Sequence, residues 1–227
     1  MCSARSICCG VAPFHLSART VNVDHEVAPE RSLPGTRRPD LVVMAASAGG
    51  LAALSAVLGA LPADFPAAVL VVQHLDPHYK SLMGDILGRR TALKVAMATE
   101  GAAVAPGEVM VATPDRHLLV QANGRVSLSA ADQVHFVRPA ADMLFSSAAA
   151  SFGDRVIAVV LTGTGSDGDM GVQAVKKAGG TVIAQDRATS QFFGMPGRAI
   201  ETGAVDLILP LDGIAPVLET LVRGERL

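Results

Sequence analysis

The sequence has 227 residues and a formal net charge of −2, half of its residues are hydrophobic, and 18% are charged. This length fits one domain of ordinary size, and the apolar content excludes a chain that is disordered over most of its length. No basic stripe favours a nucleic-acid surface, and no apolar run approaches the ~20 residues of a membrane-spanning helix, so we expect a soluble protein.

The N-terminal part of the chain differs from the rest. All three cysteines, Cys2, Cys8 and Cys9, lie there, and an odd number at one end indicates reduced thiols in a cytoplasmic protein rather than a disulfide framework or a zinc site. The segment ends in PERSLPGTRR and lacks the apolar centre of a secretory signal. We predict a flexible N-terminal extension over residues 1–38 and a folded domain over residues 39–227.

The rest of the chain alternates between two kinds of pattern. Short apolar runs predict strands at 41–46, 67–74, 94–98, 108–112, 156–162, 181–185 and 205–210. Helical spacing predicts helices at 51–61, 81–90, 139–151, 168–178, 196–202 and from Gly213 onward, the last with Ile214, Val217, Leu218 and Leu221 on its inner face. Alternation around Asn123-Gly124 predicts a β-hairpin over 117–130.

Strands that alternate with helices predict parallel β-α-β units with helices on both faces of the sheet. The predicted fold class is therefore α/β, a three-layer α/β/α doubly wound architecture with a mainly parallel sheet. The antiparallel hairpin at 117–130 departs from this pattern, and we expect it either at the sheet edge or as a flap.

The segment GTGSDG, residues 163–168, follows an apolar run and precedes a predicted helix. Strand, G-x-G-x-x-G and helix form the arrangement of a dinucleotide-binding turn, and Asp186 supplies an acidic residue after the next strand. However, Asp167 and Asp169 would place two negative charges where a pyrophosphate must bind. Nucleotide binding is therefore the weaker interpretation, and we expect no bound cofactor.

A second interpretation of this segment involves two other strand ends. Ser47 follows the first predicted strand, His74 ends the second, and Asp167 follows the strand at 156–162. The carboxyl ends of parallel strands meet at one edge of a sheet, where a histidine can deprotonate a serine while a carboxylate orients the histidine. Ala48-Gly49-Gly50 leaves space for main-chain N–H groups to approach a substrate oxygen. Each residue alone is more often a cap or a structural group, so spacing alone leaves this question open.

Other polar clusters fit less well. His74, Asp76 and His78 read H-x-D-x-H, residue types that bind zinc, but Pro77 interrupts the strand geometry that would align them, and we predict no metal site. Met195-Pro196 suits either the rim of a site or core packing. We expect the remaining histidines to be solvated or structural: His15, His25, His117 and His135.

Six segments resemble, in order, the catalytic domain of CheB-type protein-glutamate methylesterases. They run from about residue 41 to residue 223 and read MAASAGGLAAL, VVQHLDPHYKSLM, TPDRHLLV, VRPAADMLFSSAA, VVLTGTGSDGDMGVQAVKKAGG and GMPGRAIETGAVDLILP. Six motifs in the right order are far more specific than any one of them.

The resemblance implies a serine esterase that hydrolyses glutamyl methyl esters on chemoreceptors and in some members deamidates glutamine. It makes Ser47 the nucleophile, His74 the general base and then acid, and Asp167 the orienting carboxylate. Thr164 stands where the family commonly has methionine, beside the oxyanion site, and we expect it to join Ala48 and Gly49 in binding the oxyanion or substrate. The alternative is a degenerate esterase fold that serves as a binding module, against which the intact Ser, His and Asp set argues.

The resemblance also bears on partners. Family members of the response-regulator type carry a receiver domain whose phosphorylation relieves inhibition, and residues 1–38 are too few to hold one. We therefore expect this switch to be absent from the chain, with activity that is constitutive or controlled by a separate regulatory protein. The expected substrate is the methylated cytoplasmic region of a chemoreceptor or another methylated protein, and we expect neither nucleic-acid binding nor membrane insertion.

Overall fold

A seven-stranded sheet dominates the computed structural model, which describes residues 40–74 and 81–225. Its strands lie in the order β3-β4-β2-β1-β7-β8-β9, and every neighbouring pair is parallel. They are β1 (Leu41–Ala46), β2 (Ala68–Gln73), β3 (Lys94–Met97), β4 (Glu108–Val111), β7 (Val156–Val160), β8 (Thr181–Gln185) and β9 (Leu207–Leu209). The predicted parallel sheet is confirmed.

Within the described residues, six α-helices cover the sheet on both faces: α1 (Gly50–Ala60), α2 (Met83–Gly88), α3 (Ala141–Phe152), α4 (Asp169–Lys177), α5 (Gly194–Glu201) and α6 (Leu211–Arg223). Side chains of a strand alternate between the two faces of a sheet. In β1, Val43 packs with residues of α3 and α4, and Met44 packs with residues of α1 and α6. The central strands are therefore buried on both sides, which explains their unbroken apolar sequence.

The predicted hairpin forms a sheet of its own. Strands β5 (His117–Val120) and β6 (Val126–Ser129) pair antiparallel around the turn at Gly124, whose φ is 72°. The Ser147 hydroxyl of α3 accepts a hydrogen bond from the N–H of Val120 at 3.1 Å. Because the edges of the large sheet are β3 and β9, the first of the two expected placements, at a sheet edge, is wrong, and the hairpin is a separate element that packs against α3.

Two predicted boundaries near the C-terminus shift. Strand β9 is shorter than 205–210, and the carboxylate of Asp206 accepts the N–H of Val182 on the neighbouring strand at 2.9 Å. Helix α6 begins at Leu211 rather than near Gly213, directly after Pro210. Its buried residues are Ile214, Ala215, Leu218 and Val222, while Val217 and Leu221 are partly buried against the core.

The predicted extension over residues 1–38 lies outside the described residues. Within residues 40–74 and 81–225, no helix combines the length and the apolar character that crossing a membrane requires.

Candidate active site

Three adjacent strands at the centre of the sheet bring the predicted residues to one edge. Strand β1 lies between β2 and β7, and the pairing continues one residue beyond the strands. The N–H of Ser47 donates to the carbonyl of Thr162 at 3.0 Å, and that of His74 donates to the carbonyl of Ala46 at 3.2 Å. Main-chain hydrogen bonds therefore fix the positions of the Ser47 and His74 backbones, from which the two side chains extend.

His74 and Asp167 form a hydrogen-bonded pair. His74 Nε2 lies 2.7 Å from Asp167 Oδ2, and Asp167 is only 4% exposed. The Asp167 carboxylate also accepts the N–H groups of Ala141 at 2.6 Å and Asp142 at 3.1 Å, at the start of α3. These contacts fix the carboxylate, and an N–H at His74 Nε2 leaves Nδ1 as the ring nitrogen that can accept a proton.

A cavity of about 350 Å³ holds Ser47, His74, Asp167 and Thr164 together in its wall. Its remaining lining residues are His135, Phe136, Val137, Gly165 and Ser166. Within the part of the chain that the structure describes, no hydrogen bond joins the Ser47 hydroxyl to His74, and such bonds commonly tighten only when substrate is bound. The structure thus places an ordered His–Asp pair and a serine in one cavity.

The three residues predicted to bind an oxyanion do not share this cavity. Thr164 lines it, whereas Gly49 lines a neighbouring cavity of about 510 Å³ on the α1 side of Ser47. Gly49 has a φ of 77° and directly precedes α1, so the partial positive charge of that helix start lies near Ser47. The carbonyl of Ala48 lies 3.1 Å from the Thr162 hydroxyl.

Gln73, which the sequence reasoning missed, connects the loops of Ser47 and His74. Its side-chain NH₂ donates to the carbonyl of Ser47 at 2.8 Å and to that of His74 at 3.1 Å, and the residue is 5% exposed. A Cβ at position 50 would lie 2.0 Å from Gln73 Oε1, so Gly50 provides the space for this side chain. The available signal was a polar amide at the end of an apolar strand.

Thr162, also missed, connects three loops. Its hydroxyl lies 3.2 Å from the carbonyl of Phe192 and accepts the N–H of Phe192 at 2.9 Å, in addition to its contact with Ala48. The N–H of Thr162 donates to Gln185 Oε1 at 2.8 Å. The loops after β1, β7 and β8 are therefore held together directly behind Ser47.

A second His–Asp pair lies beside the first. Asp142 is 3% exposed, accepts the N–H of Gly171 at 2.7 Å, and lies 3.1 Å from His135 Nε2. Burial raises the pKa of Asp142 and the negative charge of Asp167 raises it further, while the Gly171 N–H and His135 oppose the change. His135 is partly exposed and pairs with this buried acid, which agrees with the expected solvated or structural role, and in addition it lines the cavity.

Asp169 is a third acid in this region and interacts with Asp142. Burial raises the pKa of Asp169, and the negative charge of Asp142 adds to this rise. The positive charge of Arg198, whose Nε lies 3.3 Å from Asp169 Oδ2, opposes it. The buried acids Asp142 and Asp167 therefore have a third carboxyl group near them.

Other candidates have structural roles or lie outside the described residues. Met195 is 1% exposed, and its sulfur would lie 2.3 Å from a Cβ at Gly163, so it packs in the core rather than at the rim. Asp186 accepts the N–H of Thr189 at 2.9 Å within its own turn. Asp76 and His78 of the H-x-D-x-H pattern lie outside the described residues.

Comparisons with known proteins agree on one family. The family model for CheB methylesterase matches residues 42–218. A protein of Moorella thermoacetica named protein-glutamate methylesterase/protein-glutamine glutaminase is 43% identical over 198 residues, which cover 85% of this chain and 46% of that protein. A protein of the same name from Halobacterium salinarum is 42% identical over 186 residues, with 80% and 54% covered. The chain spans about half the length of these curated relatives.

A solved structure matches the fold as well. The crystal structure of the Thermotoga maritima CheB methylesterase catalytic domain is 40% identical, with a TM-score of 0.79 over 82% of this chain and 100% of that chain.

Proposed function

The chain belongs to the CheB methylesterase family, and from this premise we propose that it hydrolyses glutamate methyl esters on methyl-accepting chemoreceptor proteins. Ser47 is the nucleophile, His74 the general base and acid, and Asp167 the carboxylate that orients His74. The proposal places this reaction in the cytoplasm, where the methylated region of such a receptor is accessible.

One observation carries the proposal. The pair formed by His74 and Asp167, 2.7 Å apart, lines the same cavity as Ser47. A serine hydroxyl is a weak nucleophile until a base removes its proton, and the base must be held in one tautomer to do so. Asp167 supports that tautomer by accepting a hydrogen bond from the Nε2–H group, which leaves Nδ1 free for the serine.

The first half of the reaction forms an acyl-enzyme. Ser47 Oγ attacks the ester carbonyl carbon while His74 Nδ1 takes the hydroxyl proton, and the carbonyl oxygen becomes an oxyanion. When the tetrahedral intermediate collapses, the bond to the methoxy oxygen breaks and His74 returns its proton to that oxygen. Methanol leaves, and the glutamyl group is bound to Ser47 as an ester.

The second half regenerates the enzyme. His74 removes a proton from water, which attacks the acyl carbon, and protonation of Ser47 Oγ releases a glutamate carboxylic acid that ionises at neutral pH. We assign stabilisation of the oxyanion to main-chain N–H groups at Ala48 and Gly49, on the α1 side of Ser47, and at Thr164, because Ser47 lines both the cavity of Gly49 and that of Thr164. The N-terminus of α1 supports them. In other hydrolases the loss of one such donor costs roughly 10²–10³-fold in kcat.

The same machinery would also accept a glutamine side chain, because an amide passes through the same acyl-enzyme with ammonia as the leaving group. Two relatives carry the name protein-glutamine glutaminase alongside methylesterase. We therefore include glutamine deamidation in the proposal, and ammonia release from an unmodified receptor fragment measures it.

Methanol release from a methylated receptor fragment tests the proposal and separates an enzyme from a binding module. We expect Ser47→Ala to lower release to near background while its circular dichroism spectrum stays unchanged. Ser166→Ala is the matched control, since Ser166 is the second serine in the same cavity wall, and we expect it to retain more than about half of the activity because the mechanism gives its hydroxyl no role. Equal release by wild type and Ser47→Ala would contradict the nucleophile assignment.

A further inference from the structure

A two-residue turn with unusual backbone geometry lies at the rim of the cavity. Val134 and Val137 exchange main-chain hydrogen bonds of 3.2 and 3.0 Å, and between them His135 and Phe136 have φ values of 51° and 63°. Positive φ at both central residues is the hallmark of a type I′ turn, which strongly prefers Asn-Gly or Gly-Gly. Residues 134–137, here called the rim turn, use His-Phe instead.

The two side chains of the rim turn point to different environments. His135 reaches inward to the buried carboxylate of Asp142 at 3.1 Å, whereas the Phe136 side chain is 94% exposed. Among the described residues, the one further non-glycine residue with positive φ is Asp115, a residue type that tolerates this conformation far better than phenylalanine. Strained backbone of this kind persists where surrounding structure holds it and concentrates at functional sites.

Exposed apolar side chains concentrate at this edge of the sheet. The described residues include five large exposed hydrophobic side chains, and four of them, Leu82, Phe136, Met170 and Phe192, lie in or beside the segments that follow β2, β6, β7 and β8. The fifth, Ile208, is 52% exposed on the edge strand β9. Exposed apolar groups that gather in one region of a surface mark interaction sites.

The size of the cavity determines what Phe136 can meet. A volume of about 350 Å³ suits a modified side chain and its immediate backbone, since pockets of roughly 300–1,000 Å³ hold single small ligands, but it is too small for a folded segment of the protein that carries it. When an ester reaches Ser47, the residues flanking the modified glutamate must therefore rest on the rim, where Phe136 stands in the lining of the same cavity.

We propose that Phe136 is a specificity-determining residue that packs against an apolar side chain of the substrate protein next to the modified glutamate. The rim turn holds Phe136 in its exposed position, and the contact of His135 with Asp142 anchors the turn. This inference rests on the proposed methylesterase function. It predicts that Phe136 discriminates between a protein ester and a small ester that has no flanking residues.

The experiment compares kcat/KM for a methylated receptor fragment with that for p-nitrophenyl acetate. We expect Phe136→Ala and Phe136→Gly to lower the ratio of these two values about tenfold, the effect of losing part of the burial of one aromatic side chain. Phe136→Tyr, which keeps an aromatic ring, should retain most of the wild-type ratio of the two kcat/KM values. Ile208→Ala, which removes an exposed apolar side chain on β9, should change neither value.

Two further measurements separate recognition from folding and from turnover. Phe136→Gly should unfold at a temperature no lower than the wild type, because glycine adopts positive φ without strain, so it answers the question even if Phe136→Ala folds poorly. In the Ser47→Ala background, which cannot turn over, the same substitution at position 136 should weaken binding of the methylated fragment about tenfold.

The possible failures can be told apart. Methanol release by wild type with an unchanged ratio in both Phe136 variants would overturn the role of Phe136 alone, whereas no methanol release by wild type would contradict the proposed function. Sedimentation that shows a dimer dependent on Phe136 would also overturn the inference, because it assigns the side chain to contact with a second copy.

Discussion

Asp167 combines two tasks in one side chain. Its carboxylate accepts hydrogen bonds from the first N–H groups of α3, those of Ala141 and Asp142, and at the same time it forms a hydrogen bond with Nε2 of His74. A free helix start leaves N–H groups without partners and carries partial positive charge, so a carboxylate there satisfies the helix and is itself held rigid. The orientation of His74 therefore depends on the start of a helix that is distant in sequence.

The acid next to Asp167 offers a test of the local electrostatics. Burial raises the pKa of Asp142 above its ordinary value of 3.8, and the charge of Asp167 acts in the same direction. A carboxyl group with a higher pKa in the folded than in the unfolded state binds more protons when folded, so its contribution to stability falls as pH rises through that interval. Asparagine does not titrate and keeps an oxygen for the Gly171 N–H.

We therefore expect the difference in unfolding free energy, Asp142→Asn minus wild type, to increase between about pH 3 and about pH 5.5, below the range in which histidines titrate. Urea unfolding at several pH values in this range measures the difference. A difference that decreases with pH would mean that His135 and the Gly171 N–H outweigh burial at this site.

The sequence predicted the positions of side chains that directly follow a strand, but not the position of a side chain that depends on a turn. Ser47, His74 and Asp167 were predictable because each follows an apolar run whose end must lie at one edge of a parallel sheet. The position of His135 in the cavity was not predictable, because Val-His-Phe-Val contains none of the residues, such as glycine and asparagine, that are typical of turns with positive φ. Its partner Asp142 becomes visible only once α3 packs against α4.

At the scale of elements, the loops behind the cavity hold each other in place. The amide of Gln73 bridges the carbonyls of Ser47 and His74, and the Thr162 hydroxyl bridges the loops after β1 and β8. Buried polar side chains of this kind fix geometry, because leaving a buried carbonyl without its donor costs about 1–3 kcal/mol. The relative position of the proposed nucleophile and base thus rests on groups that do not take part in the reaction.

Gln73→Glu tests this bridge, since it keeps the shape of the side chain and replaces two N–H donors with acceptors. We expect kcat for ester hydrolysis to fall at least tenfold, a loss of about 1.4 kcal/mol or more. The loss should shrink as pH falls, because protonation of the glutamate restores one donor. The measurement is the pH profile of kcat in the variant divided by that of wild type.

Gln185→Glu is the matched control for this prediction. Gln185 is also buried, at the end of β8, and its Oε1 accepts the N–H of Thr162, a role that glutamate retains. Its Nε2 donates to the Thr189 hydroxyl at 3.2 Å, and a hydroxyl can instead donate to a glutamate oxygen. Both variants bury a carboxyl group, so a loss of kcat that is as large in Gln185→Glu would attribute the effect to buried charge rather than to the bridge.

The elements themselves were predicted well because their patterns are local. Apolar runs identified all seven strands of the large sheet, which are three to six residues long, and helical spacing between them identified the helices that cover it. Asn123-Gly124 predicted the hairpin, but the sequence did not predict that the hairpin packs against α3. The pattern of a hairpin indicates which residues pair with each other, not which surface the hairpin covers. The boundaries of β9 and α6 also shifted: Asp206, which precedes β9, binds the N–H of Val182 on the neighbouring strand, and α6 begins directly after Pro210.

At the scale of the whole molecule, strand order explains why distant residues meet. Ser47, His74 and Asp167 are far apart in sequence, yet β2, β1 and β7 are neighbours in the sheet, and all run in the same direction. The G-x-G-x-x-G spacing of residues 163–168 gave a plausible nucleotide interpretation from sequence. In the folded protein the Asp167 carboxylate occupies the start of α3, and the loop contributes an acid to the cavity.

The central claim is that Ser47 is the hydroxyl activated by His74. Reaction with a fluorophosphonate, followed by peptide mapping by mass spectrometry, tests it most directly because the reagent labels only an activated serine. We predict one adduct per chain, on Ser47, with a labelling rate that falls at least a hundredfold in His74→Ala, at the lower end of what a positioned base contributes. An adduct on Ser166, or labelling of Ser47 at the same rate without His74, would contradict the account.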